Sequence, residues 1–124
     1  MNILYDYQIF LSQKFGGPSR YFIELTKNIN KLNGNSVIYS PFYINQYLKA
    51  ETDKSFKKKF FLRRKIKLNF LYNYFNKYLT KKFMDTTKFD ILHPTYYDIQ
   101  KYKKIKIPKV LTVYDLTHEK FPEY

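Results

Sequence analysis

The chain has 124 residues, of which 44% are hydrophobic, and it carries a formal net charge of +13. This length suits one domain with its own core, and the apolar content excludes a compositionally disordered protein. There is no cysteine, which excludes disulfides and fits a reducing cytoplasm. No run approaches the roughly 18 apolar residues that a membrane-spanning helix needs. The positive charge implies an anionic partner or surface.

The first third of the chain predicts a strand, a long loop and a helix. Residues 2–6 form a short apolar run, and residues 7–17 read as the loop that leaves it. Apolar side chains then recur at helical spacing over residues 19–32. The pair Asn33 and Gly34 predicts the end of this helix, with Gly34 in the left-handed position.

A second strand is predicted at residues 36–39, with Pro41 ending it. The order strand, loop, helix, strand is typical of a βαβ unit and favours a parallel sheet. Residues 42–53 are polar and mixed, and the pattern assigns no structure to them.

The basic segment 54–83 has two different halves. Residues 69–83 carry an apolar stripe at helical spacing, which predicts an amphipathic helix. Residues 54–67 mix a dense set of cations with aromatic side chains, a pattern typical of segments that lie on anionic membranes. We therefore predict a membrane-surface contact, and its members are Phe56, Phe60, Phe61, Arg63 and Arg64. Cations among aromatic rings also suit single-stranded nucleic acid.

The last third of the chain predicts two more strands. Residues 90–93 read as a third strand with His93 at its exit, and residues 110–113 as a fourth. Together the elements predict an α/β fold over residues 1–124, an incomplete Rossmann-like parallel sheet of about four strands flanked by helices. In the predicted order, the strand at 110–113 lies beside the first strand.

Two stretches carry the candidate chemistry. The first is 16–22 (GGPSRYF), where two glycines permit close approach and a helix start offers free N–H groups to a phosphate. The second follows the strand at 110–113 and contains Asp115 and His118. Asp115 can accept a hydrogen bond from a sugar hydroxyl, and His118 can exchange a proton near neutral pH. The histidines at 93 and 118 do not by themselves make a metal site.

These stretches resemble the N-terminal, acceptor-side domain of retaining glycosyltransferases of the GT-B fold, group 1, sequence family 4. The resemblance rests on residues 6–10, 16–22, 90–97 and 110–124, in that order along the chain. It implies transfer of a sugar from a nucleotide-sugar to a glycan or lipid-linked acceptor in cell-surface polysaccharide synthesis. From this, together with the basic segment and the absence of cysteine, we predict a cytoplasmic protein that is peripheral at the inner face of the membrane.

The resemblance assigns roles to individual residues. Gly16 and Gly17 fall where the family's glycine-rich loop approaches the donor diphosphate, and Arg20 matches its Gly-Gly-x-x-Arg-Tyr pattern. Asp115 matches the second member of the family's His-Asp pair, whereas Tyr114 replaces the first. His118 is expected to take a neighbouring catalytic role. His93 joins the substrate-binding group, and no metal or other cofactor is expected.

The resemblance also implies that a large part of such an enzyme is missing. The C-terminal domain, which holds the nucleotide-sugar in this family, has no counterpart in the 124 residues. We therefore expect the chain to be inactive alone. A rival interpretation is a small basic nucleic-acid-binding protein, which explains the charge but leaves the apolar strands and the glycine pair unexplained.

Overall fold

The structure is a computed structural model, and it describes residues 1–63 and 69–115. Along the chain its elements are β1 (Asn2–Tyr5), α1 (Gln8–Ser12), α2 (Gly17–Lys31), β2 (Asn35–Tyr43), α3 (Gln46–Ala50), β3 (Phe56–Phe61), α4 (Asn69–Thr86), β4 (Ile91–His93) and a 3₁₀ turn (Gln100–Tyr102). No helix within the described ranges has the length and apolar character needed to cross a membrane.

The four strands form one all-parallel sheet in the order β3-β2-β1-β4. Helices flank it, so the predicted α/β class with a parallel sheet is confirmed. Strand β1 is central, with Leu4 opposite Val37 on one side and Leu92 on the other. A crossover through α1 and α2 joins β1 to β2, and another through α4 joins β3 to β4, as parallel pairing requires.

Alternation along the strands divides the core between the two faces of the sheet. Ile3 and Tyr5 point to one face and pack with Phe22 of α2, whereas Leu4 points to the other. On that second face, Tyr39 stacks on Phe83 of α4 with ring centroids 4.2 Å apart. Both faces of the sheet are therefore covered, as parallel sheets require.

The predicted strand at 110–113 is wrong in both type and position. Only Lys109 makes a bridge, and its partner is Leu92 of β4. The amide of Leu92 donates to the Pro108 carbonyl at 3.0 Å, and that of Val110 donates to the Leu92 carbonyl at 3.0 Å. Because β2 and β4 already occupy both edges of β1, this segment lies outside β4. The sheet's fourth strand is instead β3, in a segment where the sequence pattern predicts no strand.

Strand β3 corrects the prediction for the basic segment. Phe56 is 6% exposed and packs in the core, so its ring does not lie at the surface. Lys58 donates to the carbonyls of Leu48, Lys49 and Glu51 at 2.6–2.8 Å, and so provides donors for the unpaired carbonyls at the C-terminal end of α3. The strand lies at the sheet edge, where lysines are tolerated because one side faces water.

The predicted amphipathic helix is confirmed as α4, and two members of its apolar stripe, Leu79 and Phe83, pack on the core. Two others, Leu71 and Phe75, are exposed, and the fully buried side chains of the helix are those of Asn76 and Thr80. The Asn76 amide exchanges two hydrogen bonds with the backbone of Phe42, at 2.9 Å and 2.8 Å. A polar residue thus anchors the helix to the sheet.

Three local predictions also need correction. The loop predicted at 7–17 contains α1, and β2 continues through Pro41 to Tyr43. Pro41 is tolerated because it lies beyond the end of β1, where β2 needs no partner on that side. At the end of α2, Asn33 rather than Gly34 is left-handed, with φ 61°. Gly34 is required because a Cβ there would lie 2.5 Å from Ile29 Cγ2.

Candidate functional site

A buried carboxylate joins the loops that leave β1 and β4. Asp6 follows β1 directly and is fully buried. Its carboxylate accepts from the Thr95 amide and hydroxyl at 2.8 Å each, from Gln8 Nε2 at 2.7 Å and from the Tyr102 hydroxyl at 2.6 Å. The Thr95 hydroxyl in turn accepts from the Ile9 amide at 3.0 Å. This network fixes the carboxyl edge of the sheet.

His93 ends β4 at the same edge and is also buried. Its Nε2 lies 2.8 Å from the Thr112 hydroxyl, and its ring lies 5.1 Å from Phe22 and 5.3 Å from Tyr5. Burial lowers the pKa of His93, and the charge of Asp6 opposes this only in part. The imidazole is therefore neutral at neutral pH and attaches residue 112 to the sheet.

Tyr114 attaches the same segment at a second point. Its amide donates to the Tyr97 hydroxyl at 3.1 Å, and its own hydroxyl donates to the Thr95 carbonyl at 3.1 Å. Burial raises the pKa of the Tyr114 phenol, so it stays protonated. Tyr114 thus acts as a hydrogen-bond donor to the backbone.

The start of α2 and the segment around Tyr114 line one cavity of about 360 Å³, and the lining residues are Gly17, Pro18, Tyr21, Thr112 and Tyr114. A Cβ placed on Gly17 would meet no heavy atom within 4 Å. Protein packing therefore does not require glycine at this position, and the space beside it opens into the cavity.

The other predicted site residues that the structure describes, namely Gly16, Arg20, His93 and Asp115, are not among the residues that line this cavity. Gly16 precedes Gly17, and a Cβ there would lie 2.2 Å from the Gln13 side chain. Arg20 is exposed on the first turn of α2, and Asp115 is exposed next to Tyr114. His118 lies outside the described residues. The structure brings Gly17 together with Thr112 and Tyr114. The roles of Gly16, Arg20, Asp115 and His118 stay predictions.

The predicted membrane residues do not form one group. Phe60 is 56% exposed and stacks on Phe42 at 5.0 Å, whereas Phe61 is half-buried beneath the Lys49 ammonium at 4.4 Å. Arg63 is exposed, and Arg64 lies outside the described residues. With Phe56 in the core, Phe60 and Arg63 are the members whose side chains are exposed.

Sequence reasoning missed Asp6 and Thr95, which organise the edge. Asp6 had a visible signal, since a carboxylate directly after a buried strand lies at the ligand-binding edge of an α/β sheet. Thr95 had none, because its role depends on a partner far away in sequence. Among the residues described, no three His, Cys, Asp or Glu side chains are grouped in a way that suits a metal ion.

Comparison with known proteins gives no match to a family model, a curated protein or a solved structure.

The lowered pKa of His93 leads to a prediction for how the free energy of unfolding depends on pH. Because burial depresses this pKa from 6.5, the unfolded chain binds a proton more readily than the folded one. The contribution of His93 is complete above pH 6.5 and is lost progressively as pH falls below it. We expect the His93→Gln variant to lose less stability between pH 7.5 and 5.5 than the parent chain. Urea unfolding at both pH values measures this, and equal losses would contradict it.

Proposed function

We propose that this chain supplies the acceptor side of a sugar-transfer site of the GT-B type. The reaction moves a sugar from a nucleotide-sugar to a glycan or lipid-linked acceptor in cell-surface polysaccharide synthesis. One observation carries the proposal: Gly17 and Tyr114 line a single cavity at the carboxyl edge of a parallel sheet. Open α/β sheets bind their ligands at this edge.

In this proposal the start of α2 faces the diphosphate of the donor. The N–H groups at a helix start and the partial positive charge of the helix dipole suit a phosphate. The open space beside Gly17 leaves room for it. Arg20 lies on the same first turn and is exposed, and we propose that its guanidinium contacts the same anion. Fixed amides and a cation of this kind stabilise a leaving diphosphate without any need for a metal.

In this proposal Asp115 accepts a hydrogen bond from the acceptor hydroxyl. His118 is close to Asp115 in sequence. Asp115 follows Tyr114, whose backbone is fixed by Tyr97 at 3.1 Å. The neutral His93 fixes Thr112 on the other side of the segment. These contacts give the Asp115 backbone a defined position, and position is the main requirement of a group that binds a reacting hydroxyl.

Transfer of this type needs a second domain that holds the nucleotide-sugar across the cleft, so we propose that this domain alone does not catalyse it. The test joins the chain to the donor domain of a family 4 glycosyltransferase and supplies labelled nucleotide-sugars with glycan and lipid-linked acceptors. We expect labelled product from a joined protein and none from the chain alone. Transfer by the chain alone, or none from any fused donor domain, would contradict the proposal.

We also propose that the domain works at the cytoplasmic face of an anionic membrane. Exposed aromatic rings at the end of β3 and the start of α4 support this, namely Phe60 and Phe70, which are 56% and 69% exposed. Aromatic side chains beside cations are favoured where a bilayer meets water.

Vesicle sedimentation tests the membrane contact. We expect binding to vesicles with phosphatidylglycerol, weaker binding at high salt, and weaker binding for the Phe60→Ser variant. Phe15→Ser is the matched control, because Phe15 is 59% exposed and lies outside this aromatic group. Equal binding to neutral and anionic vesicles would refute the electrostatic part.

A further inference from the structure

A long groove runs along α4, between this helix and the chain that follows β4. It consists of three adjoining cavities of about 260, 380 and 410 Å³. Lys101 lines the first and the second, and Lys81 and Lys104 line the second and the third. Helix α4 has 18 residues, so at about 1.5 Å per residue the groove extends for about 27 Å. This is the length of an extended polymer segment rather than of one small molecule.

Lysines line both walls of the groove. On the helix wall they are Lys77, Lys81 and Lys88, and on the opposite wall Lys101, Lys103, Lys104 and Lys106. Asp85 is the acidic residue among the described lining side chains. Lys101 is partly compensated by Asp98, whose carboxylate lies 3.3 Å away. The remaining ammonium groups on two facing walls attract a linear polyanion and keep it inside the groove.

Two exposed aromatic rings lie on the helix wall of the middle cavity. Tyr74 is 65% exposed and Tyr78 is 57% exposed, and they are one helical turn apart. Their flat faces offer stacking surfaces to sugar rings or to bases.

The end of the groove at the carboxyl edge of the sheet has a different chemistry. It is lined by neutral amides and hydroxyls, including those of Ser12, Asn69 and Asn73, and by Lys101, whose ammonium is paired with Asp98. The Asn73 side-chain oxygen accepts from the Tyr7 hydroxyl at 2.6 Å, which fixes the amide in place. Uncharged groups that both donate and accept are suited to sugar hydroxyls. The groove therefore changes from hydroxyl recognition at the sheet edge to anion recognition along α4.

We propose that this groove binds a linear anionic glycan, a chain of sugars that carries carboxylates or phosphates. The inference rests on the proposed function and specifies its acceptor, because the hydroxyl-binding end of the groove opens at the edge where transfer is proposed. The hydroxyl-binding end favours a glycan over single-stranded nucleic acid, because a nucleic-acid backbone carries phosphates along its whole length and requires cations along the whole groove. The concave form with lysines on both walls favours a polymer over a flat bilayer.

The test measures binding of the chain to an oligogalacturonate of about ten residues, by fluorescence anisotropy at 150 mM salt. We expect the double variant Lys77→Glu/Lys104→Glu to bind about tenfold more weakly, since two facing charges are reversed. The control Lys31→Glu/Lys54→Glu makes the same change in net charge on another surface and should lose less than about threefold. Tyr74→Ala should weaken binding by a further factor of about five, through lost stacking.

Three results would overturn the inference. The first is an equal loss in the groove and control variants, which would mean unspecific attraction. The second is tighter binding of a ten-residue oligothymidylate than of the oligogalacturonate, which would mean a nucleic-acid groove. The third is a groove variant that loses phosphatidylglycerol vesicles but keeps the glycan, which would mean a lipid surface. None of these results depends on the diphosphate site at Gly17. Glycan binding in the groove can therefore be disproved while the proposed function stands.

Discussion

Replacing Asp6 by asparagine is expected to lower the free energy of unfolding by about 3 kcal/mol, because charge-assisted hydrogen bonds in a buried site are lost. The carboxylate accepts from the amide and hydroxyl of Thr95, from Gln8 and from the Tyr102 hydroxyl. An asparagine amide group would face some of these donors with a donor of its own. Urea unfolding followed by circular dichroism measures the change.

Asp90→Asn is the matched control for this prediction. Asp90 precedes β4 at the opposite edge of the sheet and is exposed, although it accepts from the Asn2 amide at 2.7 Å. Because water can replace that bond, we expect a loss of about 1 kcal/mol or less. Similar losses for both variants would mean that the Asp6 network does not organise the edge.

Replacing Asp115 by asparagine is expected to lower turnover about 100-fold in the chain joined to a donor domain, as is typical when a group that handles the reacting proton is removed. Because Asp115 is exposed, we expect the unfolding free energy to change by about 1 kcal/mol or less, as for Asp90. Transfer rates and urea unfolding of the same preparations separate the two effects. Full activity in the variant would make Asp115 a structural residue of the segment.

Much of the fold could be predicted because its central strands have strong local patterns. The run at residues 2–5 is apolar and becomes β1, and the helical spacing after Ser19 becomes α2. Strand β3 has the sequence FKKKFF, and its three lysines conceal the strand pattern. An edge strand permits such residues, but only the tertiary structure shows which strand lies at the edge.

The segment at 110–113 shows the opposite error. Its apolar, β-branched residues favour a strand, yet β1 has no free edge to pair with it. One juxtaposition in the candidate site followed from the sequence, since Gly17 and Tyr114 line one cavity. The network of Asp6 did not, because Thr95 and Tyr102 lie about ninety positions away and only folding brings them together.

If the cavity beside Gly17 receives a diphosphate, nucleoside diphosphates should bind there. Titrating the labelled chain with nucleoside diphosphates measures this binding. Amide NMR shifts are expected at Gly17, Arg20 and Tyr114. Gly17→Ala should weaken binding about tenfold by filling the space for the phosphate, yet raise the unfolding free energy by about 0.5 kcal/mol.

Gly34→Ala is the control, since its new Cβ meets Ile29 at 2.5 Å and should destabilise the fold without changing the titration. We expect binding and stability to respond in opposite directions at Gly17. Wild-type affinity in Gly17→Ala, or shifts confined to other parts of the chain, would contradict it.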